Sequence, residues 1–126
     1  MKTIEFVLLA VGAILGAYTR YKITSFPIIF GIIGSNVLVV NITGSFILGV
    51  FSVLSTAIFN LDSKYSFLIA IGFCGSMTTM SSFALESIEM FEDKQFLQMM
   101  INVLANVILS LLAVYGGRIL ILQILE

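Results

Sequence analysis

The sequence predicts an all-α membrane protein of four transmembrane helices, the third of them broken at mid-membrane. Three observations lead there. Hydrophobic residues make up 60% of the chain and charged residues only 10%, with a mean hydropathy of +1.15, whereas a soluble domain carries about 25% charged residues. The apolar residues fall into four blocks punctuated by charges and turn residues, each able to supply the ~20 residues that a bilayer crossing requires. The third block contains Gly72-Phe73-Cys74-Gly75-Ser76-Met77-Thr78-Thr79-Met80-Ser81-Ser82-Phe83, a concentration of glycines and hydroxyls where a spanning helix is ordinarily greasy and continuous.

Composition also excludes. Four spans consume almost all of the 126 residues, which predicts a single transmembrane domain over 1–126. A net charge of −1 provides no basic footprint for nucleic acid. No histidine is present, which removes the commonest metal ligand and general base. The one cysteine, Cys74, has no partner for an internal disulfide and reads as a small residue packed against a neighbouring helix.

The first span is placed at 4–22 and stops at Arg20-Tyr21-Lys22. Gly12 and Gly16 form a GxxxG pair flanked by Ala13 and Ala17, the spacing that lets membrane helices approach closely. This segment is expected to be retained rather than cleaved as a signal. Cleavage near Gly16-Ala17 would leave three spans, with Arg20 at the new terminus. The second block lies between Pro27 and Asn60-Leu61-Asp62-Ser63-Lys64 and is longer than a crossing needs. Its span is put at 34–59, with Gly31, Gly34 and Ser35 in a non-spanning lead-in.

The third span is placed at 65–90. Gly72 and Gly75 weaken a helix entropically, and Ser76, Thr78, Thr79, Ser81 and Ser82 compete with the backbone ladder. One outcome is a continuous helix whose hydroxyls bond back to carbonyls four residues earlier. The density of polar residues favours a break, which strands amide and carbonyl groups at several kcal/mol each in a medium without water. A buried cation held by backbone oxygens would satisfy the freed carbonyls. Without a nearby carboxylate, that donor set suits a monovalent alkali ion better than Ca²⁺ or Mg²⁺. Glu86, Glu89, Glu92 and Asp93 then lead to Lys94, and the fourth span occupies 96–122, with Ala113 and Gly117 again four apart and Arg118 near its end.

Polar residues within the spans are aligned. Asn102, Asn106 and Ser110 fall at i, i+4 and i+8 on the fourth span, a line about 12 Å long at 1.5 Å per residue. Asn41 and Ser45 share a face on the second, continued by Ser52. Thr79, Ser82 or Phe83, and Glu86 do so on the third. Such groups either glue helices together, at about 0.6 kcal/mol per hydrogen bond, or mark an ion path. Glu86 is expected chiefly at headgroup depth. The Lys/Arg tally is balanced: Lys2, Lys64 and Arg118 on one side, and Arg20, Lys22 and Lys94 on the other. Orientation normally follows an excess of these residues, so the chain either inserts one way through a locally dominant charge or inserts both ways.

These residues resemble the small fluoride channels of the Fluc (CrcB) family. The resemblance runs along the whole chain. It is carried by "GAILGAYTRY" ending in Arg20-Tyr21, by "VVNITGSFILG" with Asn41, and most specifically by "GFCGSMTTMSSF", similar to a GxCGxxTTxSxF signature. It implies an antiparallel (dual-topology) homodimer in a prokaryotic plasma (inner) membrane, with lipid, fluoride and a second copy of the chain as partners. The broken third helices would cross at the dimer centre and hold a structural Na⁺ through the backbone carbonyls of Gly75 and Thr78. Two pores would be lined by Asn41, Met80, Ser81, Phe83, Asn106 and Ser110, with Arg20 at a vestibule and Ser82 and Glu86 on a polar track. Met80 departs from the family, which usually has Phe there. A thioether then replaces a ring edge whose partial positive charge can face an anion. The implied function is passive fluoride export without an enzymatic step. A dual-topology multidrug or cation exchanger is the alternative, but it needs a carboxylate deep in the membrane, and the first span offers only Glu5, near its end. An intramembrane enzyme fares worse: no histidine, no embedded aspartate.

Overall fold

A computed structural model describes residues 1–26, 29–30, 33–34 and 36–126. Four helical segments are long and apolar enough to cross a membrane: Thr3–Thr24, Asn36–Ala57, Lys64–Glu92 and Phe96–Leu125. The protein is a multi-pass membrane protein, and each segment starts or stops where local chemistry requires it. The first helix, α1 (Thr3–Thr24), is opened by Glu5, whose carboxylate accepts the Lys2 N–H at 2.7 Å. A two-residue antiparallel pair follows, β1 (Ile29–Phe30) with β2 (Ile33–Gly34), setting Ile29 opposite Gly34 and Phe30 opposite Ile33. This pair occupies part of the lead-in expected from the excess length of the second apolar block; Gly31 and Ser35 lie outside the described residues.

α2 (Asn36–Val53) is tied to the end of α1 by Asn36, which donates to the carbonyls of Thr24 at 3.0 Å and Phe26 at 2.5 Å. It runs into a π-helical turn, Leu54–Ile58, and ends at Asn60, whose φ of 41° is the left-handed value that asparagine tolerates. Asp62 then prepares the next helix. Its carboxylate accepts the Lys64 N–H at 3.0 Å and pairs with Lys64 Nζ at 3.2 Å, and the hydrogen bond from the Lys64 backbone holds its pKa below the usual value. α3 comprises Lys64–Ser66, the π-helical Phe67–Cys74 and Gly75–Met77. α4 (Met80–Glu92) and α5 (Phe96–Leu125) are separated by a turn in which Lys94 takes φ 59°. The 30 residues of α5 give a rod of about 45 Å, longer than the ~30 Å hydrocarbon core, so it tilts or emerges at its ends.

Packing pairs α1 with α3 and α2 with α5, and glycine makes both contacts possible. The residues buried along α1 are Gly12 and Gly16, seated against the backbone carbonyls of Leu68 and Phe73. The same device recurs across α2 and α5: Gly49 faces the Val114 carbonyl and Gly117 faces the Phe46 carbonyl. Close backbone approach maximises dispersion where lipid supplies no hydrophobic drive. The two pairs meet where Gly44 of α2 lies under the Thr78 methyl.

Neighbouring glycines on α5 test this account. A methyl group at Gly117 would lie 2.6 Å from the Phe46 oxygen, whereas one at Gly116 would meet nothing within 4 Å. Gly117→Ala is expected to lower the thermal midpoint of the detergent-purified protein through overpacking worth about 1–3 kcal/mol. Gly116→Ala is expected to leave it unchanged or slightly raised, because alanine is the better helix former. Equal midpoints for the two variants would contradict glycine-mediated packing of α2 on α5.

Candidate functional site

Between α3 and α4 the backbone leaves helical geometry for two residues. Thr78 has φ −73° and ψ 153°, and Thr79 has φ −148° and ψ 113°. Both the N–H and the hydroxyl of Thr78 donate to the Cys74 carbonyl, at 3.0 and 2.9 Å, closing the end of α3. In an uninterrupted helix the N–H of Thr79 would bond the Gly75 carbonyl, and that of Ser82 the Thr78 carbonyl. Neither does. Thr79 donates to Asn41 Oδ1 at 2.8 Å, and Ser82 donates to Thr79 Oγ1 at 3.1 Å, an N-cap for α4. The carbonyls of Gly75 and Thr78 are thereby released from their helical donors, and Gly75 lies on an exposed surface.

Asn41 repairs the other side of the interruption. Its Nδ2 donates to the Thr79 carbonyl at 3.3 Å and to Asn106 Oδ1 at 2.9 Å. Asn106 Nδ2 donates in turn to Asn102 Oδ1 and to the Asn102 carbonyl, both at 3.0 Å. Asn102 Nδ2 then donates to Ser87 Oγ at 3.2 Å, and the Ser87 hydroxyl donates to the Phe83 carbonyl at 2.8 Å. A single chain of hydrogen bonds thus connects α2, α5 and α4 through the buried middle of the molecule.

The interruption opens onto a groove of about 470 Å³. Its polar wall is Asn41, Ser45, Thr78, Thr79, Asn106 and Ser110; Met80, Phe83, Leu48 and Val107 are among its apolar residues. None of the described residues lining it is charged. The first turn of α4 begins beside this groove, and the unpaired N–H groups of a helix start carry partial positive charge.

Of the residues that sequence analysis singled out, Asn41, Met80, Phe83, Asn106 and Ser110 line the groove together with Gly75 and Thr78. Met80 projects outward, 74% exposed. Ser81, which is exposed, and Ser82, which is half-buried, lie outside the lining and bond to it: the Thr79 hydroxyl donates to Ser82 Oγ at 3.0 Å and lies 3.2 Å from Ser81 Oγ. Arg20 is half-buried on α1 and outside the groove lining. Glu86 is also outside it, half-buried on α4 rather than simply solvated, and its Oε2 is buried with no hydrogen-bond partner among the described residues. Ser52 leaves the polar face of α2, donating to the Gly49 carbonyl and accepting from Arg118 Nη1 at 2.9 Å. Sequence reasoning did not single out Ser87, although its spacing of four from Phe83 was a usable signal, and it did not identify Thr79 as the meeting point of two networks.

Comparison with known proteins places these features in context. The family model described as CrcB-like protein, Camphor Resistance (CrcB) matches residues 7–118. The fluoride-specific ion channel FluC of Nitrosopumilus maritimus (strain SCM1) is 54% identical over 126 residues, covering 100% of this chain and 99% of that protein. The protein of the same name from Koribacter versatilis (strain Ellin345) is 43% identical over 95% of this chain and 97% of its own length. The one from Methanococcus aeolicus is 36% identical over 97% of this chain and 98% of its own.

Proposed function

The chain belongs to the CrcB family, and on that premise we propose that it is a fluoride-selective passive channel through which cytoplasmic F⁻ leaves down its electrochemical gradient. The observation that carries this reading is the uncharged groove beside the interrupted helix, with the Asn41 amide and the start of α4 on its wall. An anion there meets N–H dipoles and the Phe83 side chain rather than a charged side chain. It is attracted without being trapped, as conduction requires. HF crosses a bilayer as a neutral molecule, dissociates in a near-neutral cytoplasm, and leaves F⁻ behind. A membrane potential then expels the ion with about 2.3 kcal/mol per charge per 100 mV, so neither a coupling ion nor ATP is needed.

One chain provides only half of an enclosed path. The groove is open on one side, and Met80 projects from its edge. A second, oppositely inserted copy would cover it and produce two pores along the interface, an arrangement supported by the balanced Lys/Arg tally of 3 against 3. The carbonyls of Gly75 and Thr78, deprived of their helical donors, are the oxygen ligands that an alkali cation accepts. In the dimer they would hold a central Na⁺, whose charge would compensate four backbone dipoles and join the two copies. Asn41, Met80, Ser81, Phe83, Asn106 and Ser110 would line the path, with Arg20, Ser82 and Glu86 towards its ends. The membrane concerned is the plasma membrane of a prokaryote, the kind of organism in which the named relatives occur.

Purified protein in liposomes is expected to release F⁻ far faster than Cl⁻, read with ion-selective electrodes; equal rates would reject the selective channel. Asn41→Asp would place a carboxylate where Nδ2 now donates at 2.9 and 3.3 Å. Like charges 4 Å apart repel by about 4 kcal/mol at an effective dielectric constant of 20, so F⁻ efflux should fall on the order of a thousandfold. Undiminished efflux would remove Asn41 from the path. For the cation, the thermal midpoint of the protein should rise with Na⁺ concentration at constant ionic strength, as binding to the folded state demands. A midpoint indifferent to replacing Na⁺ by N-methylglucamine would argue against the site.

A further inference from the structure

We propose that Ser87 and Asn102 are positioning residues that set the amide orientation of Asn41, and with it the N–H edge offered to an anion in the groove; this rests on the channel reading above. Neither residue lines the groove, and Asn102 is only 1% exposed, so any influence on an anion passes through other groups. The route is a one-way chain. Every bond donates in the same sense: Thr79 N–H to Asn41, Asn41 to Asn106, Asn106 to Asn102, Asn102 to Ser87, and Ser87 to the Phe83 carbonyl.

Both ends are main-chain groups, whose donor or acceptor character is fixed. An asparagine amide is otherwise free to turn over and exchange its oxygen for its nitrogen. Reversing any amide here would put donor against donor or oxygen against oxygen at its neighbours. Asn106 is held twice, because its second N–H is taken by the Asn102 carbonyl at 3.0 Å. The consequence appears at Asn41. One of its N–H groups is committed to Asn106 at 2.9 Å, while the other is held by the Thr79 carbonyl at 3.3 Å, the longest bond in the network. That second N–H lies at the groove wall and is the one most readily turned to a small anion. Hydrogen bonds arranged head to tail polarise one another, so the Ser87 end also strengthens the donor presented by Asn41.

The test combines flux with a spectroscopic readout in the full-length protein, labelled with ¹⁵N at asparagine and reconstituted in lipid. Ser87→Ala removes the acceptor for Asn102, and Asn102→Leu removes the link to Asn106. Both are expected to reduce the F⁻ to Cl⁻ flux ratio about tenfold and to shift the Asn41 side-chain amide resonance, with Ser87→Thr recovering both by restoring the hydroxyl. A merely structural role would lower the thermal midpoint or slow both anions alike, leaving the ratio and the resonance in place; that result overturns the proposal. If Ser87→Ala fails to fold, Ser87→Cys, of similar size and a weaker acceptor, decides by the same two readouts. Should the wild-type protein pass no F⁻, the channel reading fails and the Asn41 resonance alone decides: a shift in the Ser87 variants sustains the positioning role, and an unmoved resonance overturns it.

Discussion

A peptide group that leaves the helical ladder inside a bilayer has no water to turn to, and the architecture around Thr78 and Thr79 follows from that constraint. Each stranded group would cost several kcal/mol, more than the few tenths to about 2 kcal/mol that a typical intramembrane hydrogen bond returns. The chain meets the demand with side chains supplied from three directions. Asn41 takes the Thr79 N–H and bonds its carbonyl; the Thr79 hydroxyl takes the Ser82 N–H; and the Thr78 hydroxyl doubles the bond to the Cys74 carbonyl. The carbonyls of Gly75 and Thr78 are left without the donors they would have in a continuous helix.

The helix packing serves the same point. Glycine contacts bring α1 onto α3 and α2 onto α5, and Gly44 of α2, seated against the Thr78 methyl, sets the distance between the two pairs. Only at that distance can the short side chain of Asn41 reach both Thr79 and Asn106. A looser bundle would leave the amide stranded between two helices and out of bonding range of one. Packing energy and polar satisfaction are therefore coupled, and the groove is what remains between the pairs once both are met.

Much of this was legible in the sequence because membrane chains write their constraints plainly. Four apolar blocks separated by charges and turn residues could be read directly, and four helices long and apolar enough to cross a membrane are found. The GxxxG of Gly12 and Gly16 is a local pattern and could be read directly. Gly49 could not be singled out, because its partner Val114 is distant in sequence and carries no signature. The same holds for Ser87: an isolated serine on an amphipathic helix becomes meaningful only when Asn102, from another helix, is found against it. The alignment of Asn102, Asn106 and Ser110 was visible, but Asn102 is buried in the relay, Asn106 belongs to both the relay and the groove wall, and Ser110 belongs to the wall. Periodicity gives a face and not what that face meets. The short β pair after Pro27 was invisible for a related reason, because it arises from leftover length rather than from a strand pattern.

The wide-turn stretch Phe67–Cys74 of α3 acts as a phase adjuster for everything after it. A π-helical turn carries one residue more than an α-helical turn. Were all of its residues to wind as ordinary α-helix instead, the surplus residue would turn Thr78 and Thr79 by roughly 100°. The threonines would then face away from Asn41 even though every one of them was still present. Gly72 belongs to this stretch, and a methyl group there would lie 2.6 Å from the Phe67 carbonyl oxygen and 2.9 Å from that of Leu9; the winding of the helix is as much a part of the site as the side chains that compose it.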